Sequence, residues 1–444
     1  MTNHAAPTII IIVGITGDLA KRKLLPAIDE LSRAGVLPND LHIIGITRQA
    51  DISIDTLTKE IADPAFVQAH MHLFQMNVAD VREYAKLTAY LQTLEAGFSE
   101  PAQRLFYLSV PPQVSQPIIE NLGASGLSHA PRTKLLLEKP FGVDLSSAAD
   151  LVTHIHQYFT PDQVYRIDHY LAKEMAQNII VFREANILFK KTWNKDFIES
   201  IQIIASEKID IERRSNFYEQ TGALRDLVQS HLLQLAALTL MDVSGKDVSE
   251  TIPARRLQAL RQLHVAKDAP VQEAAIRKQY EGYQDEVNNP GSLVETYVEL
   301  TLQSDDVAWR GVLITLITGK ALRKKTTEIR IRYRQEDARD INELILRLQP
   351  NEGVELRLLT KQPGYEQQVE ERPLHFAYHE SERLPEAYER VFLDAIRSDH
   401  SLFATGDEIL ETWRILDPVQ RAWEMASNDL GSYKKGSDIN TLLS

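Results

Sequence analysis

Hydrophobic residues are distributed in two different ways along this chain, and the change falls near Ile179. Before it, short runs without polar alternation recur at Thr8 to Val13, Leu41 to Ile46, Leu105 to Val110, Lys134 to Leu137 and Val164 to Ile167. Such runs suit strands covered on both faces, and the stretches between them have room for crossover helices, so a buried parallel sheet is predicted. Leu24, Ile28 and Leu31 follow the first run at helical spacing, and Pro38-Asn39, Pro111-Pro112 and Ala130-Pro131 stand where turns are needed. After Ile179, Thr327 to Tyr333 alternates polar and apolar residues strictly, and Glu343 to Leu348 and Val354 to Leu359 are similarly strand-like. An antiparallel sheet with one wet face accommodates that pattern. Leu224 to Met241, Glu386 to Ile396 and Glu408 to Met425 have helical spacing and are expected to cover the other face, while Ser244 to Glu250 and Glu281 to Ser292 are expected to be surface loops. The expected fold is α/β plus α+β: a Rossmann-like parallel-sheet domain over residues 1–175, and a larger domain over 176–444 built on an open antiparallel sheet covered by helices.

Composition narrows the partners more than the fold. A chain of 444 residues predicts two or three domains, each long enough to bury its own core. Its net charge of -13 argues against nucleic acid or an anionic membrane as the main partner, so any phosphate must be captured locally. The absence of cysteine removes disulfides, thiolate nucleophiles and Cys-ligated metal sites. Met1 to Pro7 lacks the basic start of a secretory signal, and the apolar run Ile9 to Val13 is too short to span a bilayer. A cytoplasmic protein is expected.

Three segments carry candidate chemistry. Arg166-Ile167-Asp168-His169-Tyr170-Leu171-Ala172-Lys173-Glu174 concentrates an acid, an imidazole, a phenol and an ammonium. Lys173 and protonated His169 can donate charge-assisted hydrogen bonds to a phosphate, Tyr170 adds a hydroxyl, and Asp168 can fix and stabilise an imidazole elsewhere in the fold. Gly14-Ile15-Thr16-Gly17-Asp18-Leu19-Ala20 follows the first strand directly. Its glycines let the backbone approach a pyrophosphate at a helix amino terminus, which Asp18 is placed to cap, and Ala20 allows close helix packing. The same pattern without a ligand is a tight strand-to-helix turn. At the end of the second strand Arg48 stands where an NAD enzyme usually carries an acid, and it suits a 2′-phosphate, so NADP is the expected cofactor with NAD as a second. The third segment, Arg225 to Gln234, puts His231 on the helical stripe of Leu224, Val228, Leu235 and Leu238. A lone histidine there is ordinarily a satisfied core residue. Asp226, five positions away, is turned off that face of an α-helix.

These strings together resemble the glucose-6-phosphate dehydrogenase family: R-I-D-H-Y-L-A-K-E at 166–174, G-I-T-G-D-L-A-K-R-K at 14–23, E-K-P-F-G at 138–142 and R-D-L-V-Q-S-H-L-L-Q at 225–234. The resemblance implies oxidation of D-glucose 6-phosphate to 6-phospho-D-glucono-1,5-lactone with hydride transfer to NADP, the first step of the oxidative pentose phosphate pathway. It implies His231 as catalytic base backed by Asp168, and His169, Tyr170 and Lys173 as the phosphate clamp. Glu207 and Asp226 would hold sugar hydroxyls, with Lys320 and Lys325 as further substrate ligands. Lys139 would lie between sugar and cofactor beside a cis proline peptide. Gly14, Ile15, Thr16, Gly17, Asp18, Leu19, Arg48 and Asn77 complete the implied cofactor set.

The resemblance also reaches Glu295-Thr296-Tyr297 and Leu384 to Arg390, but Ala172 and Asp210 stand where glycines are expected and Ser230 replaces an asparagine. A homodimer or homotetramer is expected, and no metal. Two rivals remain: an NAD(P)-dependent oxidoreductase of an unphosphorylated sugar, of the glucose-fructose or inositol dehydrogenase type, and a catalytically inactive sugar-phosphate sensor.

Overall fold

The chain is described by a computed structural model over residues 6–212, 214–245, 248–267, 270–335, 342–378, 382–426 and 429–443; residues 1–5, and residues 246–247 of the expected 244–250 loop, lie outside the described residues. It divides into two units: Met1–Gly142, Ser146–Ala172 and Pro385–Ile409 form the first, and Val143–Leu145, Lys173–Leu384 and Leu410–Ser444 the second.

In the first unit β1 (Thr8–Val13) is buried along its whole length, which explains its Ile/Val run, since neither face meets water. It pairs in parallel with β2 (Leu41–Thr47) on one side and β4 (Gln103–Leu108) on the other. The sheet extends through β3 (Met71–Gln75), β5 (Thr133–Leu137) and β6 (Val164–Ile167). Its order is β16-β6-β5-β4-β1-β2-β3, where β16 (Phe403–Ala404) lies antiparallel to β6. The order turns back between β1 and β4, the switch point at whose carboxyl end ligands of such sheets bind.

The helix Ala387–Arg397, expected to cover the other sheet, belongs to this first unit instead. Val391, Phe392, Ala395 and Ile396 on its apolar face join the core of Ile10, Ile28 and Tyr107. The buried Lys134 ammonium binds the Ala395 carbonyl near the helix end. A segment remote in sequence thus completes the layer beside the parallel sheet, and the boundary expected at 175/176 becomes a discontinuous division.

The second unit is built on β7 (Ile198–Ser206), β8 (Leu263–Val265), β9 (Ala275–Tyr280), β10 (Tyr297–Ser304), β11 (Leu313–Gly319), β12 (Thr326–Tyr333), β13 (Glu343–Gln349), β14 (Gly353–Lys361), β15 (Val369–Ala377) and β17 (Leu430–Tyr433). Nine run in the order β15-β14-β13-β12-β7-β11-β10-β9-β17, and β8 pairs with β10. Most pairings are antiparallel as expected, but β7 with β11 and β9 with β17 are parallel. The expected surface stretch 281–292 includes a short helix, Tyr283–Glu286, whose Tyr283 is fully buried. Polarity of the flanking residues masked that anchor.

Candidate active site

The first unit presents the dinucleotide-type turn. Gly14 has φ +87°, and a Cβ there would lie 2.3 Å from the Ser109 carbonyl oxygen, so both conformation and space demand glycine. Gly17 donates its N–H to the Gly14 carbonyl at 3.0 Å, closing the turn. Ile15 and Ala20 are fully buried, whereas Thr16 and Leu19 are half-buried. The helix that follows is π-wound over Ala20–Leu24, then α-helical over Leu25–Arg33. Asp18 does not cap it: its exposed side chain falls within the first helical turn. Arg48 is exposed directly after β2, and Asn77 is exposed in the turn beyond β3, where its side chain accepts the Ala79 N–H.

At the same edge of the sheet, Glu138 and Lys139 follow β5, and Asp168 follows β6. The Lys139–Pro140 peptide is cis, as is Gln349–Pro350, which the sequence reading did not anticipate. Burial pushes the Glu138 carboxyl upward, while hydrogen bonds from the Tyr107 and Tyr388 hydroxyls oppose that shift. Asp168 is buried, and one of its oxygens accepts the Tyr170 N–H at 2.9 Å. The rings of His169 and Tyr170 meet edge to face at 5.0 Å. Ala172 is buried and avoids the left-handed region, so replacing glycine there imposes no backbone strain.

In the second unit His231 is 1% exposed and sits within a π-helix, Leu224–Leu232, that passes into the α-helix Leu233–Leu240. The expected inward stripe of Leu224, Val228, Leu235 and Leu238 is buried. The winding corrects the expectation for Asp226, however. With i→i+5 bonding, as from the Leu233 N–H to the Val228 carbonyl, the α-helical angle that would turn Asp226 away from His231 does not apply.

Lys320 joins that carboxylate. The residue is 3% exposed, and its ammonium pairs with Glu207 and lies 3.7 Å from Asp226. Lys325 is exposed and makes no ion pair among the described residues, so the adjacent basic run does not enter this cluster. Lys173 stands at the N-cap of the helix Glu174–Ala185. There the Glu352 carboxylate accepts the Met175 N–H at 2.9 Å. Burial raises the Glu352 carboxyl, and the Lys173 charge works against that rise.

Two positioning groups escaped the sequence reading. Glu295 accepts the Leu224 N–H at 2.8 Å through its side chain, fastening the start of the His231 helix, and burial raises its carboxyl. Glu352 is the other. Glu295 lay inside the resembling string Glu295-Thr296-Tyr297, yet nothing local around it or around Glu352 states which amide each acid would meet. Of the two other departures, Asp210 binds Lys435 at 2.8 Å, and Ser230 donates to the Asp226 carbonyl at 2.6 Å.

Comparison with known proteins gives the same picture over nearly the whole length. Residues 11–178 match the family described as glucose-6-phosphate dehydrogenase, NAD binding domain, and residues 180–441 match its C-terminal domain. A glucose-6-phosphate 1-dehydrogenase of Chlamydia muridarum is 35% identical, covering 97% of this chain and 93% of that one. The Bacillus subtilis enzyme of that name is 34% identical over 98% and 96%. A solved glucose-6-phosphate dehydrogenase in complex with its substrate glucose 6-phosphate superposes with TM-score 0.90 at 29% identity, over 98% of this chain and 95% of that one.

Proposed function

This chain belongs to the glucose-6-phosphate dehydrogenase family and oxidises D-glucose 6-phosphate with hydride transfer to a nicotinamide cofactor; we propose that NADP is preferred and that His231 is the general base. The observation that carries the site assignment is the charge cluster of Lys320, Glu207 and Asp226, one π-turn from the buried His231.

In this reading neutral His231 takes the proton of the anomeric hydroxyl as C1 loses hydride, leaving 6-phospho-D-glucono-1,5-lactone. Asp168 stabilises the resulting imidazolium, and such general-base assistance contributes about 10²–10⁴ in rate. His169, Tyr170 and Lys173 hold the phosphate, which ties remote binding energy to the orientation of C1. Glu207 and Asp226 accept sugar hydroxyls, Lys320 fixes their charges and donates to the sugar, and Lys325 is a more distant ligand.

A nicotinamide dinucleotide supplies the hydride acceptor. The residues fit it: Gly14 lets the turn pack against the Ser109 carbonyl, Gly17 follows directly before a helix start, and exposed Arg48 is available to a 2′-phosphate. Gly14, Ile15, Thr16, Gly17, Asp18, Leu19 and Asn77 would border the cofactor, with Lys139 between it and the sugar. The first unit serves as the dinucleotide-binding part and the second as the substrate-binding and oligomerisation part of a cytoplasmic homodimer or homotetramer. No helix among the described residues is long and apolar enough to cross a membrane.

The test is purified protein with glucose 6-phosphate and NADP or NAD, followed by absorbance of the reduced cofactor. Turnover with both, more efficient with NADP, is expected. Oxidation of free glucose alone would favour the unphosphorylated-sugar enzyme, and tight sugar-phosphate binding without turnover would favour the sensor.

A further inference from the structure

Lys320 is held more firmly than an ion pair requires. Its backbone N–H is donated to the Thr296 carbonyl at 3.0 Å, and its own carbonyl accepts the Tyr433 hydroxyl at 2.7 Å. The ring of Tyr218 lies beneath its ammonium, 5.1 Å from Nζ to centroid. The next residue, Ala321, has φ +52°, a left-handed conformation that a residue with a Cβ keeps only when its surroundings enforce it. The enforcement is visible: Ala321 donates its N–H to the Ile209 carbonyl at 2.9 Å and accepts the Gly436 N–H at 2.7 Å.

Two of these restraints come from the same remote place. Tyr433 ends β17, and Gly436 follows it in the carboxy-terminal segment. That segment continues to grip the turn after β11: Arg323 donates its N–H to the Ser437 carbonyl at 3.0 Å. Tyr433 is itself 4% exposed, and burial raises its phenol, so the hydroxyl stays protonated and remains a donor at physiological pH. It is further fixed by Thr296, whose hydroxyl lies 2.9 Å away.

We propose that the carboxy-terminal segment 430–437 is a strap that positions Lys320 for the sugar phosphate, with Tyr433 as the positioning residue and the Tyr218 ring as the bed of the ammonium. The inference rests on Lys320 being a substrate ligand, as read above. A lysine has four side-chain torsions to lose, and fixing its backbone from two sides confines the ammonium between Glu207 and Asp226 before substrate arrives. The strap therefore acts on substrate affinity and leaves the cofactor end alone.

Steady-state kinetics of Tyr433→Phe, Lys320→Ala and the double variant test this. Tyr433→Phe keeps the ring and removes the hydrogen bond, so KM for glucose 6-phosphate should rise about three- to tenfold, with KM for the nicotinamide cofactor unchanged. In the Lys320→Ala background the same change should have no further effect on KM, because the phenol acts through the lysine. Thr296→Val, which removes the hydroxyl beside Tyr433 but not the Lys320 contact, should lower Tm without moving either KM. An equal KM increase from Tyr433→Phe in both backgrounds, or an unmoved KM for glucose 6-phosphate in Tyr433→Phe with only its Tm lowered, would overturn the strap while leaving Lys320 a ligand. An unchanged KM for glucose 6-phosphate in Lys320→Ala alone would overturn the ligand assignment and the strap together.

Discussion

Asp226 and His231 stand one i→i+5 turn apart in the π-helix Leu224–Leu232. The α-helical spacing that would have turned the acid aside is absent there, and the Lys320 ammonium lies 3.7 Å from its carboxylate. Replacing His231 by Asn keeps a polar group of similar size but removes the base. We expect kcat to fall by about 10²–10⁴ while the dissociation constant for glucose 6-phosphate stays nearly constant. Stopped-flow turnover together with calorimetric binding checks both, and undiminished turnover removes His231 as the base.

Cofactor choice is expected to lie with one exposed guanidinium. Arg48 follows β2 directly and is the only Lys, Arg, Asp or Glu among residues 41–50. Losing a charge-assisted pair with a 2′-phosphate should lower kcat/KM for NADP about 10- to 100-fold in Arg48→Ala, and leave the value for NAD unchanged. Equal losses with the two cofactors would mean that Arg48 does not read the phosphate.

Gly222 has φ +65°, and a Cβ there would lie 2.4 Å from the Glu295 carboxylate oxygen that caps the His231 helix. Gly222→Ala should therefore displace the cap as well as strain the backbone. A loss of about 2–3 kcal/mol in stability is expected, with kcat lowered through His231 placement. Thermal unfolding and kcat measured on the same preparation would show whether both change, and a variant with wild-type values for both would refute the coupling.

Burial pushes the Asp394 carboxyl up to about 6, with Asp399 adding to the rise and Arg390 and Arg397 opposing it. Its folded value lies above the unfolded one, so the native state holds the proton more tightly. The associated stability is fully present below about pH 4 and is lost as pH rises through 6. Asp394→Asn abolishes that loss. The variant should match the parent near pH 4 and exceed it by about 2–3 kcal/mol above pH 7, read as a higher Tm. A Tm difference independent of pH would show that this carboxyl does not titrate as its burial requires.

Much of this site was legible from local chemistry. The Thr8–Val13 run announced a doubly covered strand, and Gly14 and Gly17 announced a turn that the φ of +87° at Gly14 and the lack of room for a Cβ against Ser109 require. The inward direction of His231 followed from its apolar stripe. Other relations were hidden because they join residues far apart in sequence: Glu295 with Leu224, Glu352 with Met175, and Tyr433 with Lys320. Asp18 was misread as a cap because the helix start depends on backbone winding, which side-chain type alone does not specify.

By itself, the order of residues determined the parallel strands, the glycine turn and the chemical groups available, since each depends on side-chain periodicity or backbone freedom within a few positions. Only the tertiary structure decided that Ala387–Arg397 completes the first unit, that the His231 helix is wound i→i+5, and that the carboxy-terminal segment grips Lys320. Those outcomes depend on which buried surface and which unpaired backbone group find each other in space, and a short stretch of sequence holds only one side of each such pair.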